Sequence, residues 1–414
     1  MARRAEEKTD EAGVNSIRSG LQNVSRPFLL AVVILVGLNL RPFLTTIGPL
    51  TPSISEATGL GLQSMSLFTL VPMALMGVFA FVGPRLQAGV GARSAVIGAL
   101  VVLCLASGLR LIASDGAVLL GTAALCGLGV AIVQAVFPGI IKAHFPGRVA
   151  VVMGLYSAML MGGGALGAQL SPVVADRSGS WRIGLGWVAV PAAIALATSV
   201  LALPRERSMH AEGMGVGVLL RRPRTWLLMA CFGLVNGGYA SVVAWLAPYY
   251  QSLGWTSEAS GRLLAAIATS QAIAALSIPA LAARRLDRRA WICATLLMQI
   301  AGFAGVAFWP ERSTVLWAIL LGAGLGGCFA VTMVVALDHF EHPGRAGALS
   351  ALMQGGGFLI AAIPPWIVAV LHDASGGFVS GWLMHLGCAA LVALLSLRFA
   401  PPGYARAMDA SVAT

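Results

Sequence analysis

Arg41 puts a full positive charge inside an apolar run, in the stretch Val36-Gly-Leu-Asn-Leu-Arg-Pro-Phe-Leu-Thr-Thr-Ile-Gly-Pro-Leu-Thr-Pro52. No other Lys or Arg is read as so placed. An Arg in hydrocarbon costs at least about 2.5 kcal/mol unless it faces protein, water or a counter-ion. Its planar fork suits a carboxylate, a nitro group or a linear pseudohalide. Asn39, Thr45 and Thr46 add polar groups beside it. Pro42 interrupts the helix and frees an upstream carbonyl, which can take the guanidinium or a water. At about 1.5 Å per residue, Arg41 lies roughly 20 Å along the helix from Arg26. Two readings stand: an anion-binding charge in a central cavity, or a structural Arg satisfied by carbonyls or reaching the surface.

The counter-ion is missing from the sequence. None of the sixteen acidic residues falls in the middle of an apolar run. The negative charge that Arg41 lacks can therefore be the substrate, an anion of one charge or a strong dipole. The same absence removes an embedded carboxylate as proton site. His385, in the last apolar run, is then the proton-coupling candidate. The alternatives are a proton carried with the substrate, exchange, or facilitated diffusion.

Elements must position that charge, and composition names their kind. The 414 residues are 58% hydrophobic and only 10% charged, against about 25% charge in soluble domains. Long apolar runs, not short alternating ones, exclude a β-barrel and predict a polytopic helical membrane protein. The net charge of +11 fits basic cytoplasmic loops and calls for no nucleic acid. All six Cys lie in apolar runs and read as small buried hydrophobes. No paired carboxylates, metal spacing or nucleophile motif is present, so no catalytic residue, metal or cofactor is expected. The polar first 25 residues lack a signal-peptide core.

Twelve runs are long enough to span a bilayer: 27–50, 62–84, 92–112, 116–141, 148–174, 182–203, 226–250, 260–283, 290–309, 313–336, 345–371 and 378–399. The expected organisation is a cytoplasmic tail over 1–26 and a six-helix bundle over 27–203. A cytoplasmic linker over 204–225, a second bundle over 226–399 and a cytoplasmic tail over 400–414 follow. With the N-terminus inside, cytoplasmic segments hold 21 of the 27 basic residues. The outer loops hold five, Arg110 among them, as the positive-inside rule requires. The halves repeat. Pro146-Gly-Arg148 recurs as Pro343-Gly-Arg345, and Asp176, Gly179, Leu128-Gly129 and Asn39 recur at one offset as Asp373, Gly376, Leu325-Gly326 and Asn236. Glycine triplets follow, at Gly162–Gly164 and Gly355–Gly357, and read as helix-packing devices. A duplicated six-helix unit points to a transporter of two pseudo-symmetric bundles.

This plan resembles the major facilitator superfamily. The loop signature after span 2 survives in part: Leu86, Gly91 and Arg93 are kept, while Ala88 and Ala283 stand at the acidic positions. Three stretches, Leu38–Leu50, Gly129–Lys142 and Val152–Gly164, resemble more closely the bacterial cyanate permease and 2-nitroimidazole exporter family. The resemblance implies a major facilitator fold, a small anionic or ionisable solute, and a multi-pass protein of the bacterial inner membrane. It also implies a cavity lined by spans 1, 4, 7 and 10, helped by 2, 5, 8 and 11. Mid-span polar residues there join Arg41, Asn39 and Thr45 as substrate-binding candidates: Gln134, Tyr156, Asn236, Tyr239, Gln271, Thr332 and Gln354. The competing role for each is an interhelical hydrogen bond, worth about 0.6 kcal/mol on average.

The expected function is secondary active transport of a cyanate-like solute by alternating access, in a monomer with both termini cytoplasmic. Efflux of a nitroimidazole-type or other small drug is the alternative. A membrane enzyme would need a catalytic constellation, and a solute sensor an output domain.

Overall fold

The computed structural model describes residues 26–145, 148–204, 216–282, 285–340 and 343–408. Twelve helices among them are long and apolar enough to cross a membrane, and no strand occurs among the described residues. Span 1 is broken into Arg26–Asn39, Pro42–Thr45 and Ile47–Thr58. Spans 2 to 6 are Leu62–Val90, Ala92–Ile112, Gly116–His144, Val149–Ser178 and Trp181–Ala202. Spans 7 to 10 are Pro223–Ser252, Ser257–Ala282, Arg289–Phe308 and Thr314–Asp338. Span 11 comprises Pro343–Ala362 and Pro364–Ser375, and span 12 is Val379–Ser396. Most lie within a few residues of the expected runs. Span 1 is the exception: it continues to Thr58, so Arg41 sits about midway along it rather than toward one surface.

The break in span 1 follows from Pro42. With no N–H at residue 42, the Leu38 carbonyl has no helical partner. It turns instead toward span 5, where a Cβ placed on Gly163 would meet the Leu38 oxygen at 2.0 Å. The freed carbonyl is thus spent on packing, not on the guanidinium as the sequence suggested. Glycine at 163 is what lets the two backbones touch. Gly167 repeats the approach one turn on, with Pro42 Cα 2.9 Å from its Cβ position. Spans 7 and 11 of the second half also approach closely: a Cβ on Gly233 would meet the Gly357 carbonyl oxygen at 2.9 Å.

Two repeat matches acquire physical meaning. Asn39 Nδ2 donates to the Leu35 carbonyl at 2.7 Å, and Asn236 Nδ2 to the Phe232 carbonyl at 2.8 Å, the same bond one turn back in spans 1 and 7. Gly179 and Gly376 close spans 5 and 11 at φ of 66° and 76°, a left-handed cap that favours glycine.

One end of the bundle is basic. There Arg93 donates to the Val200 carbonyl at 2.6 Å, Arg224 to Arg398 at 2.7 Å, and Arg288 to Asp338 at 2.9 Å. A segment after span 12 docks on it. Tyr404–Met408 is a short helix whose Tyr404 ring stacks on His339 at 4.0 Å, so this part of the C-terminal tail is packed. The expected N-terminal tail up to residue 25, residues 205–215 of the linker and 409–414 of the C-terminal tail lie outside the described residues. Within the linker, Val216–Leu220 is helical.

At the opposite end the two halves are tied together. Gln251, itself steadied within the second half by Ser260 at 2.8 Å, donates across to the Pro49 carbonyl at 2.9 Å, and Gln63 donates to Asp373 at 2.8 Å. A Cβ on Gly48 would meet the Val243 carbonyl oxygen at 2.5 Å, so spans 1 and 7 are in backbone contact there.

Candidate functional site

Arg41 caps the four-residue helix Pro42–Thr45 at the centre of span 1. Its side chain is 6% exposed. Among the described residues it has no hydrogen bond and no ion pair, and its Nη1 is buried without a partner. What faces it is aromatic. The guanidinium carbon stands 4.8 Å from the centre of the Tyr239 ring, on span 7 of the other half. Such a cation–π contact stabilises by about 0.5–2 kcal/mol, less than a buried charge-assisted bond supplies. The Tyr156 hydroxyl, on span 5, is also buried, unpartnered and within the field of Arg41. Tyr156 is itself held by stacking on Phe137 of span 4, 5.4 Å between centroids. Gly164 leaves room for the site, since a Cβ there would stand 3.3 Å from Arg41 Cβ and 3.4 Å from Thr45 Cγ2. Spans 1, 5 and 7 thus bring together Arg41, Thr45, Tyr156 and Tyr239. Two polar groups with no partner, a cation and a hydroxyl donor, are left over where the halves meet. That arrangement can hold a small anion by charge and by one hydrogen bond.

The other candidates sit elsewhere or are already engaged. Asn39 Nδ2 is also bound to the Pro191 carbonyl at 3.1 Å, anchoring span 1 to span 6. Thr45 hydroxyl leans on its own helix at the Pro42 carbonyl, 3.4 Å. Thr332 bonds back to Cys328 at 2.8 Å, and half-buried Gln354 to Ser350 at 3.5 Å. Gln271 is buried against span 10, its Cγ 2.6 Å from the Cβ position of Gly326. Gln134 is half-buried. No hydrogen bond or ring contact among the described residues joins Gln134, Asn236, Gln271, Thr332 or Gln354 to Arg41. His385 lies one layer behind. It is 1% exposed, both ring nitrogens lack partners, and its ring stacks on Phe303 at 5.4 Å. Its Nδ1 is 3.6 Å from the Cβ position of Gly238, the residue before Tyr239.

One residue overturns the sequence reading. Arg110, expected in an outer loop, is 0% exposed at the end of span 3. Arg41 is therefore not the only basic side chain inside the bundle. The signal was present: Leu109 precedes Arg110, and Leu111 and Ile112 follow it.

Twelve spans in two repeated halves, with polar groups meeting between them, define a transporter fold of the two-bundle kind. The profile of the Major Facilitator Superfamily matches residues 29–365, and the chain belongs to that superfamily. It is 41% identical over 374 residues to the cyanate transport protein CynX of Escherichia coli K12, covering 90% of this chain and 97% of that one. It is 26% identical over 387 residues to the 2-nitroimidazole transporter of the same organism, covering 92% and 96%. Among solved structures, a bacterial homologue of the human lysosomal transporter Spinster, inward-facing and unoccupied, superposes with a TM-score of 0.77. That match covers 94% of this chain and all of the other at 14% identity. The chain is thus a multi-pass membrane transporter of a small solute, and its relatives are transporters rather than enzymes.

Proposed function

We propose that this chain is a secondary transporter of a small monoanion, cyanate-like in size and shape, in the bacterial inner membrane. The observation that carries the reading is the Arg41 guanidinium, buried between the halves beside an aromatic ring and, among the described residues, without an ion pair. The 41% identical relative named as a cyanate transport protein supports the substrate class. In this reading Arg41 neutralises the anion, the Tyr156 hydroxyl donates to it, and Tyr239 closes the second half over it. Asn39, Thr45, Gln134, Asn236, Gln271, Thr332 and Gln354 complete the path that the anion meets as the halves rock. The units that rock are residues 27–203 and 226–399, joined by the linker 204–225, within a monomer. The basic end faces the cytoplasm, together with both termini, because basic loops are retained there.

Alternating access requires the ties at the opposite end to open when the basic end closes. His385 is the place for a coupling proton: no carboxylate lies mid-membrane, and its ring abuts the backbone just before Tyr239. The test is counterflow of labelled cyanate in proteoliposomes. Wild type should exchange the label, while Arg41→Ala, folded as judged by thermal unfolding, should not. Equal exchange by both across a panel of small anions would remove the anion reading. The 26% identical 2-nitroimidazole transporter favours one second reading, efflux of a nitro compound whose oxygens meet the same guanidinium. Competition of that exchange by 2-nitroimidazole tells the two apart.

A further inference from the structure

Arg110 is a whole cation with no contact with solvent, and the site above does not use it. Its Nη1 donates to the Phe43 carbonyl at 3.1 Å, and its Nε to the Thr122 hydroxyl of span 4 at 3.4 Å. The Thr122 hydroxyl is itself fixed, donating to Leu119 at 2.7 Å. Nη2 is buried without a partner. Phe43 is two residues after Arg41, inside the four-residue helix that Arg41 caps. A piece of chain so short has little internal bonding. Leu44 and Thr45 bond back to the Arg41 carbonyl at 3.1 and 3.3 Å, and Thr46 to Pro42 at 3.0 Å. Gly164 and Gly167 hold this piece from span 5. From spans 3 and 4, Arg110 supplies a side-chain hydrogen bond to its backbone.

We propose that Arg110 is a positioning residue for Arg41: through the Phe43 carbonyl it clamps the interrupted segment of span 1 to spans 3 and 4, and so sets where the Arg41 guanidinium stands. A neutral residue could fill the volume but could not supply two forked donors to a carbonyl and a hydroxyl from one rigid plane. The cost of burying the charge is the mark of a role that a simple apolar plug would not need. The inference rests on the reading that Arg41 holds the anion.

The test uses the full chain in proteoliposomes, with cyanate as probe. Variants are Arg110→Met, Arg110→Lys, Arg41→Lys and the double variant R110M/R41K. Counterflow gives the half-saturating concentration and the maximal rate separately, and hydrogen exchange reports on residues 38–46. Arg110→Met should raise the half-saturating concentration about tenfold, the scale of one lost charged hydrogen bond, with the maximal rate nearly kept. Arg110→Lys, with one donor in place of a fork, should fall between, and exchange at Leu44 and Thr45 should quicken in both. In the Arg41→Lys background the Met substitution should add little, because its effect acts through Arg41. A folded Arg110→Met with unchanged half-saturation and lower thermal stability would overturn the proposal and leave a structural plug. Full multiplication of the two effects in the double variant would overturn it too. Should the Met variant fail to fold, Arg110→Lys decides: wild-type half-saturation and wild-type exchange would sink the idea. If a folded Arg41→Ala leaves cyanate exchange untouched, it is the anion reading that fails.

Discussion

Arg41 is a buried charge that has no hydrogen bond or ion pair among the described residues. The Tyr239 ring 4.8 Å away offers its face, which tolerates a cation but does not neutralise it. Removing the ring while keeping the bulk should therefore matter more than removing the hydroxyl. Tyr239→Leu is expected to weaken cyanate binding by about three- to tenfold, the range of a desolvated cation–π contact, while Tyr239→Phe stays within about twofold. Titration calorimetry on the purified protein measures both. The charge itself, its missing acid and its Pro42 neighbour were legible in the sequence. The Tyr156 and Tyr239 pair was legible only as two names among ten, because which mid-span polar groups converge depends on helix rotation. Arg110 was misread, since a loop-end position says nothing of whether a neighbouring span covers it.

Span 1 shows how an element serves a residue. Proline removed one hydrogen bond, and span 5 answered with glycine at the point where the freed carbonyl arrives. Gly163→Val should clash with the Leu38 oxygen. Overpacking costs typically about 1–3 kcal/mol, and here the obstacle is backbone, so a loss at the upper end is expected in thermal unfolding. A second element-scale prediction concerns the docked C-terminal helix. His339, just past span 10, is held neutral by burial, its pKa lowered to about 4, with Nδ1 on the Val335 carbonyl at 2.7 Å and its ring on Tyr404. A histidine whose folded pKa lies below its unfolded value of about 6.5 contributes stability that is full above that value. The contribution falls as pH drops from there toward 4. Release of the Tyr404–Met408 segment, followed by proteolysis, should rise over that window in the wild type and lose this pH dependence in His339→Gln. The break at Pro42 could be read from the sequence, and so could the packing role of the glycine triplets. The length of span 1 could not, because Thr51 to Thr58 is polar enough to resemble a loop.

At the scale of the whole molecule, the halves are fastened at the end away from the basic loops. Among the described residues, two side-chain bonds there cross between the halves: Gln251 to Pro49 and Gln63 to Asp373. Each is worth about 1 kcal/mol, enough to shift a two-state population about fivefold. Spin labels at exposed Glu56 and at Thr256 should report longer distances in the variant Q63A/Q251A than in the parent; unchanged distances would show that backbone packing at Gly48 suffices. The duplication was visible in the sequence through a single offset. Its physical content, matching side-chain bonds at Asn39 and Asn236 and left-handed caps at Gly179 and Gly376, required coordinates. The charge is not duplicated: the position that matches Arg41 is Gly238, backed by Phe303 and His385. One half carries the charge and the other closes over it.

In the proposed function the anion is the partner that Arg41 lacks. Equilibrium binding of cyanate to the purified protein, wild type beside a folded Arg41→Gln, tests it most directly. Saturable binding is expected of the wild type, weakened about a hundredfold or more in the variant, the scale of losing a buried charge-assisted contact. Equal affinity in the two proteins would contradict it and leave Arg41 a structural charge.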